Sequence, residues 1–326
     1  MDFTTDGRIL QDTKNGKERP WVKNKIKSQL LAASFMRLDM EKRSNRVMNC
    51  SSFLKFAECV NDDYKKLTDA NFCRDRMCPT CNLRRSRKLQ QQILNILCEA
   101  HRRLDGKLRF VLLGLTVRNV PGEELSGAVT KMLRGFMELF KLGEVDEPTI
   151  GYIRTLEVTY NVKDDTYHPH IHCLMAVKPS YFKGKCYITQ ARWAELWQRL
   201  LKLDYEPVVH VKAVKPRSAG QVPIEAAFEV GKYCGKSTDY IIPGNPERSD
   251  KVTKHISEGI KGRRLIGFGK LFRQIHKELN LDDLENKDAE LIKGNEHNCT
   301  CPICSSTLLE IIYKWHYGYS LYLGSD

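Results

Sequence analysis

The chain reads as an α+β protein built on a ferredoxin-like antiparallel sheet, with helical and metal-binding extensions. Three observations predict it. Apolar runs of strand character lie at 108–117, 151–161, 168–177 and 208–214. Helical patterns separate the first run from the second and the third from the fourth, giving the order βαββαβ. Between the second and third runs, Lys163-Asp164-Asp165 reads as a hairpin turn.

Taken in order, residues 1–20 are polar and mixed in charge and are expected to be disordered. A helix follows over 21–43, with Ile26, Leu30, Leu31, Phe35 and Leu38 expected on its buried face. Cysteines cluster from Cys50 to Cys81, ahead of a basic run. A helix aligning Leu89, Ile93, Leu97 and Ala100 leads into the first strand of the sheet. Pro121-Gly122-Glu123-Glu124 opens a helix whose apolar stripe is Leu125, Val129, Met132, Phe136 and Phe140. Thr189 caps the helix bearing Trp193, Leu196, Trp197 and Leu200. A last helix is predicted over 224–236. The expected division is a tail and helix (1–48), a cysteine-rich segment (49–88), the sheet domain (89–241) and a C-terminal region with a second cysteine cluster (242–326).

The 326 residues carry a formal net charge of +13, so a polyanionic partner is the natural reading. No apolar run is long enough to span a membrane, and the N-terminus lacks the apolar core of a signal peptide, so a cytoplasmic protein is expected. Twelve cysteines in a reducing compartment argue for thiols or metal ligands rather than disulfides.

The segment His168-Pro-His170-Ile-His172-Cys-Leu-Met holds the strongest chemical signal. Side chains alternate faces along a strand, so His168, His170 and His172 point one way, with neighbours about 7 Å apart. A turn centred on Lys163-Asp164 sets Glu157 opposite His170 with its side chain on the same face. Two imidazoles and a carboxylate suit Mg²⁺ or Mn²⁺ and leave positions open for phosphate oxygens. His168, beside the turn, is the weakest ligand candidate. Further on, Glu229, Lys232, Tyr233 and Lys236 share one helical stripe, with Phe228 and Val230 assigned to the other side. A lysine ammonium beside Tyr233 favours its phenolate or the charge of a crowded phosphorane. Glu229, one turn away, is a candidate general base.

Cys78-Pro-Thr-Cys81 and Cys301-Pro-Ile-Cys304 each have the spacing at which two thiolates meet one tetrahedral zinc. Cys59 and Cys73 are candidates to complete the first site, and Cys299 and His297 the second. The alternative is one zinc shared by both pairs. Arg84, Arg85, Arg87 and Lys88, beside the first pair, are candidate DNA contacts.

These motifs together resemble the HUH endonuclease superfamily, specifically single-tyrosine rolling-circle plasmid initiators. Leu113-Gly-Leu-Thr116-Val-Arg-Asn119 resembles the family's first motif, apart from Gly114 where a strand former is expected. The histidine strand resembles the metal motif, and Glu229-Val-Gly-Lys-Tyr233 the nucleophile motif. The cysteine-rich stretch Phe72–Cys81 resembles a segment found upstream in such proteins. The match spans roughly 45–241. The resemblance implies that Tyr233 attacks an origin phosphodiester and becomes joined to the 5′ phosphate. It also implies metal held by His170, His172 and Glu157, a later water-dependent cleavage promoted by Glu229, and a host helicase and DNA polymerase as partners. Transposases and mobilisation relaxases of the same chemistry, and a non-catalytic zinc-binding nucleic-acid protein, are the alternatives. Relaxases place the tyrosine before the histidines, which this chain does not.

Overall fold

The computed structural model describes residues 8–14, 16–214, 222–232, 240–286, 288–292 and 300–325. The chain begins with β1 (Thr13–Lys14), β2 (Lys17–Glu18), α1 (Trp21–Arg37), α2 (Glu41–Met48), β3 (Phe53–Cys59), β4 (Lys65–Ala70) and α3 (Pro79–Arg103). It continues through β5 (Arg109–Thr116), α4 (Leu125–Leu139), α5 (Gly143–Asp146), β6 (Thr149–Asn161), β7 (Thr166–Val177), α6 (Gln190–Leu201) and β8 (Val209–Val214). The last elements are α7 (Ile224–Lys232), α8 (Pro246–Ile260), β9 (Ile266–Lys270), α9 (Leu271–Glu278), β10 (Leu308–His316) and β11 (Leu321–Ser325). They divide into two compact units, Met1–Arg84 with Lys287–Asp326, and Arg85–Asn286. The second unit is thus inserted in the sequence of the first. The cysteine-rich segment and the end of the C-terminal region share one unit, while 242–286 belongs with the sheet domain.

The inserted unit holds a five-stranded antiparallel sheet in the order β8-β5-β7-β6-β9. Its first four strands have the ferredoxin-like arrangement, and β9 extends the β6 edge. The crossover helices cover one face. Phe136 and Phe140 of α4 pack on Tyr152, with ring centroids 5.4 and 4.2 Å away. The expected stripe from Leu125 to Phe140 is buried throughout. Thr189 caps α6 by accepting from the Arg192 amide at 3.1 Å. The opposite face is not bare. Leu89, Ile93 and Leu97 of α3, Ala226, Ala227 and Val230 of α7, and Phe272 and Ile275 of α9 pack on Phe110, Ile153, Leu174 and Ala176. That cover ends before the histidines, which therefore stand in a cleft.

The other unit has a four-stranded sheet, β11-β10-β3-β4. Its core joins Trp21, Phe56, Tyr313 and Tyr322. Two expectations need correcting here. From residue 8 the leader is tied down, because Leu10 is buried, its amide bonds the Tyr322 carbonyl at 3.0 Å, and buried Asp12 accepts from the Trp21 indole at 2.7 Å. The predicted first helix breaks between α1 and α2 at Asp39, whose φ is 58°. Its buried face overlaps the one expected at Leu31 and Phe35 but is shifted around the helix. Ile26 and Leu30 are exposed, whereas Lys25, Ser28, Leu31, Ala32 and Phe35 are buried. Polar Lys25 and Ser28 face the cysteine cluster, so apolar periodicity finds Leu31 and Phe35 correctly but sets the edge of the buried face too far toward Ile26 and Leu30.

Candidate active site

In the inserted unit the hairpin β6–β7 pairs Glu157 with His170 and Asn161 with Thr166, the register that a turn on Lys163-Asp164 requires. Glu157 is buried. Its Oε2 accepts from His170 Nε2 at 2.8 Å and from His172 Nε2 at 3.2 Å. Burial pushes the Glu157 carboxyl up, but the hydrogen bonds and positive charge of the two imidazoles outweigh it and hold the carboxyl down to about 2. One donor atom from each of these three side chains falls within 4.8 Å of the others, close enough to meet one ion. The set fits Mg²⁺ or Mn²⁺, since the three donors found among the described residues are two imidazoles and a carboxylate and leave positions open. His168 lies outside this group. Its Nδ1 is 2.8 Å from Asn119 Oδ1, and Asn119 in turn donates to Thr166 Oγ1 at 3.0 Å. Asn119, from the first motif, thus orients a histidine of the third strand.

The imidazoles open on a cleft of about 740 Å³, lined also by Gly114, Thr116, Gln190, His210, Lys212 and Glu229. His210 was not singled out in the sequence, yet it belongs to this face. Gly114 of β5 is paired with His172 on one side and His210 on the other. The glycine leaves a gap between the two rings. A signal was present: His210 and Lys212 alternate with Val209 and Val211, so the polar side of that strand is legible once its neighbour is known.

Helix α7 brings Glu229 to the cleft. Its packed side is Ala226, Ala227, Val230 and Gly231, while Phe228 is exposed rather than paired with Val230. Gly231 is required by close approach, since a Cβ there would lie 2.4 Å from Gln90 Cγ. Ser86 fixes the same turn by donating to the Gly231 carbonyl at 2.6 Å. Lys232 Nζ donates to Glu229 Oε2 at 2.7 Å. Tyr233 and Lys236 lie outside the described residues. Tyr240, a second tyrosine of the region, is fully buried and cannot reach DNA from that position.

The basic run following the cysteines is used internally. Arg85 is a correction: expected at a DNA-facing surface, it is buried and donates to the Leu284 carbonyl at 2.9 Å. Lys88 pairs with Asp282. Arg84 donates to the Leu291 carbonyl at 3.0 Å, and Arg87 is half-buried.

The cysteines form two separate sets in the other unit. Cys78 and Cys81 meet Cys73 and Cys50, with Sγ–Sγ distances of 3.5 Å for Cys78–Cys50 and 3.6 Å for Cys50–Cys81 and Cys73–Cys81. A tetrahedral zinc with bonds of about 2.3 Å has sulfur–sulfur edges of about 3.8 Å. The amides of Arg74, Cys73 and Asp75 donate to Cys81, Cys50 and Cys73 at 3.2, 3.4 and 3.4 Å. Lys25 is buried beside the set, its ammonium on the carbonyls of Met48 and Cys50, both at 2.7 Å. Burial lowers its pKa, against the opposing pull of the Cys50, Cys78 and Cys73 sulfurs. A buried cation next to four sulfurs offsets the charge such a centre carries. Cys59 does not complete this set, because it sits at the far end of β3 and joins Cys301, Cys304 and Asp62. Cys50 fills the place instead. Cys299 and His297 lie outside the described residues.

No described helix is long and apolar enough to cross a membrane. No solved structure matches the chain. It is 40% identical over 318 residues to the "Protein rep" of Lentilactobacillus hilgardii, covering 95% of this chain and 97% of that protein. It is 36% identical to the "Protein rep" of Bacillus amyloliquefaciens, covering 98% of each. The "Protein rep" of Streptococcus pneumoniae serotype 2 is 38% identical over 87% of each chain. The model of the replication protein family matches residues 64–323, a range that reaches into both units and includes the histidine hairpin and Glu229, but begins after Cys50, Cys59 and Asp62. The chain belongs to the replication protein family.

Proposed function

We propose that this protein initiates plasmid replication by the rolling-circle route, nicking one origin strand with Tyr233. The observation that carries the reading is that His170 and His172, held by buried Glu157, line one cleft with Glu229. An anionic substrate suits a chain of net charge +13.

In this reading the Tyr233 oxygen attacks phosphorus and the bond to the 3′ oxygen breaks. The strand is left with a free 3′ hydroxyl, which takes up the proton, and a 5′ phosphate esterified to the tyrosine. Glu157, His170 and His172 would hold Mg²⁺ or Mn²⁺, whose contribution is to polarise the scissile phosphate. Lys232 and Lys236 favour the charged forms of nucleophile and phosphate. Glu229, held by Lys232, takes a proton from water in a second cleavage that needs no second tyrosine. His168 and His210 flank the phosphate position as DNA contacts. The 3′ end is the substrate for a host polymerase, with a host helicase opening the duplex, in the cytoplasm. Cys50, Cys73, Cys78 and Cys81 hold a structural zinc.

The test is direct. Protein, Mn²⁺ and a single-stranded origin oligonucleotide are mixed and run on a denaturing gel. The expected result is an adduct that survives SDS and maps to Tyr233 by peptide mass. Binding without any adduct or nick would leave a non-catalytic DNA-binding protein instead.

A further inference from the structure

We infer that Cys59, Asp62, Cys301 and Cys304 form a second zinc site, separate from the tetrathiolate, that clasps the β3–β4 turn to the loop entering β10. The two sets share no residue. The strand register makes the site. β10 pairs with β3 so that Leu308 lies opposite Cys59, which carries the preceding loop across the end of β3. That loop is closed on itself by the Thr300–Thr307 bridge and by the Cys301 amide on the Ser306 carbonyl at 2.7 Å. It turns through Ser305, at a φ of 60°.

Four donors then converge within 4.8 Å. Cys59 Sγ is 3.3 Å from Cys304 Sγ, and Cys301 Sγ is 3.0 Å from Asp62 Oδ2. The amides of Asn61 and Ile303 donate to Cys59 and Cys301, both at 3.4 Å, each two residues beyond its cysteine. Asp62 also accepts from the Tyr64 amide at 2.6 Å. Backbone donors aimed at sulfur are the support that orients thiolate ligands. Three thiolates with one carboxylate select zinc over Mg²⁺ or Ca²⁺. The ion would join positions 245 residues apart, and a clip that closes so long a loop restrains the unfolded chain most. This centre differs from the tetrathiolate in one donor and in access. Cys304 is exposed and Asp62 half-buried, whereas Cys50, Cys78 and Cys81 are buried. It should therefore exchange its metal first.

The experiment measures zinc per chain by elemental analysis on full-length protein purified under reducing conditions, and does not depend on nicking. Wild type should carry two zinc ions. The double variant Asp62→Ala with Cys304→Ser should carry one, and Asp62→Cys should keep two. Cys78→Ser should lose the other ion. If the double variant fails to fold, wild type treated briefly with a chelator and an alkylating agent gives the same answer. Release of one ion should expose Cys59, Cys301 and Cys304 to alkylation while Cys50, Cys73, Cys78 and Cys81 stay protected. One zinc in wild type, two retained by the double variant, or alkylation of the three thiols independent of zinc release would each overturn the site.

Discussion

The histidine cluster of the sheet and the four-cysteine cluster of the other unit are built in opposite styles. Glu157, His170 and His172 come from adjacent strands of one hairpin and face a cleft of about 740 Å³. Among the described residues three donors meet there, which suits the open shell of the proposed substrate-contacting ion. Cys50, Cys73 and Cys78 come from the segments flanking β3, β4 and α3 and Cys81 from the first turn of α3, and three of the four are buried. Nothing in that shell is open, and a buried lysine stands behind it. The difference teaches that the proposed chemistry draws its donors from one regular hairpin, whereas the proposed structural zinc would tie together segments that no single element aligns.

The sharpest break between the two would come from Tyr233→Phe. Losing only the hydroxyl should lower adduct formation and nicking by at least ~10³-fold while leaving oligonucleotide affinity and zinc content near wild type. Normal nicking by this variant would remove Tyr233 from the reaction. Cys78→Ser should act on the other side of the contrast. It should cost more than about 4 kcal/mol in the stability of its unit, read by thermal unfolding beside zinc analysis. Any folded fraction should still cleave a short single strand, and a folded variant with no cleavage would merge the two sites into one. Next in size, His172→Ala should weaken Mn²⁺ binding by at least ~10²-fold in calorimetry, with Glu157→Ala close behind and His168→Ala well below both. Equal affinity in wild type and His172→Ala would sink the open site.

The smallest effect concerns pH. Burial lowers the pKa of His276, whose ring lies 4.5 Å from that of Phe268, and burial lowers that of His168 as well. The folded state therefore binds fewer protons than the unfolded state. The stability these groups contribute is complete above the unfolded value of about 6.5 and is lost as pH falls through the folded value. His276→Gln should flatten, without abolishing, the fall in urea midpoint between pH 7.5 and 5.5. An unchanged slope would show that His276 does not drive it.

The inserted unit was largely legible because its signals are local. Period two in one strand aligned three histidines, and the length of one turn set Glu157 against them. The other unit was less so, because its sites are made by pairings between distant segments. Cys50 belongs to no Cys-x-x-Cys pair that would mark it as a ligand, and Asp62 looks like any acidic turn residue. Only the pairing of β10 with β3 reveals that Cys59 belongs with Cys301 and not with Cys78. Lys25 and Ser28 show the same limit in helical form: partners remote in sequence turned a polar face inward. His210 became visible only when β8 was known to lie beside β5. Arg85 was misread because charge in sequence carries no sign of whether a side chain faces solvent or a carbonyl.

The insertion of one unit within the other also orders events during synthesis. A ribosome completes residues 85–286 before it makes β10, the strand that lies between β3 and β11. Until then β3 and β4 form a bare two-stranded ribbon, too small to be stable alone. Domains fold as they emerge, so the five-stranded sheet can form while its companion waits for the end of the message. A chain stopped short of Leu308 would carry the histidines and Tyr233 intact but leave β3 as an open edge, prone to association. The sheet of the outer unit is thus completed only when the last strands of the polypeptide have been made.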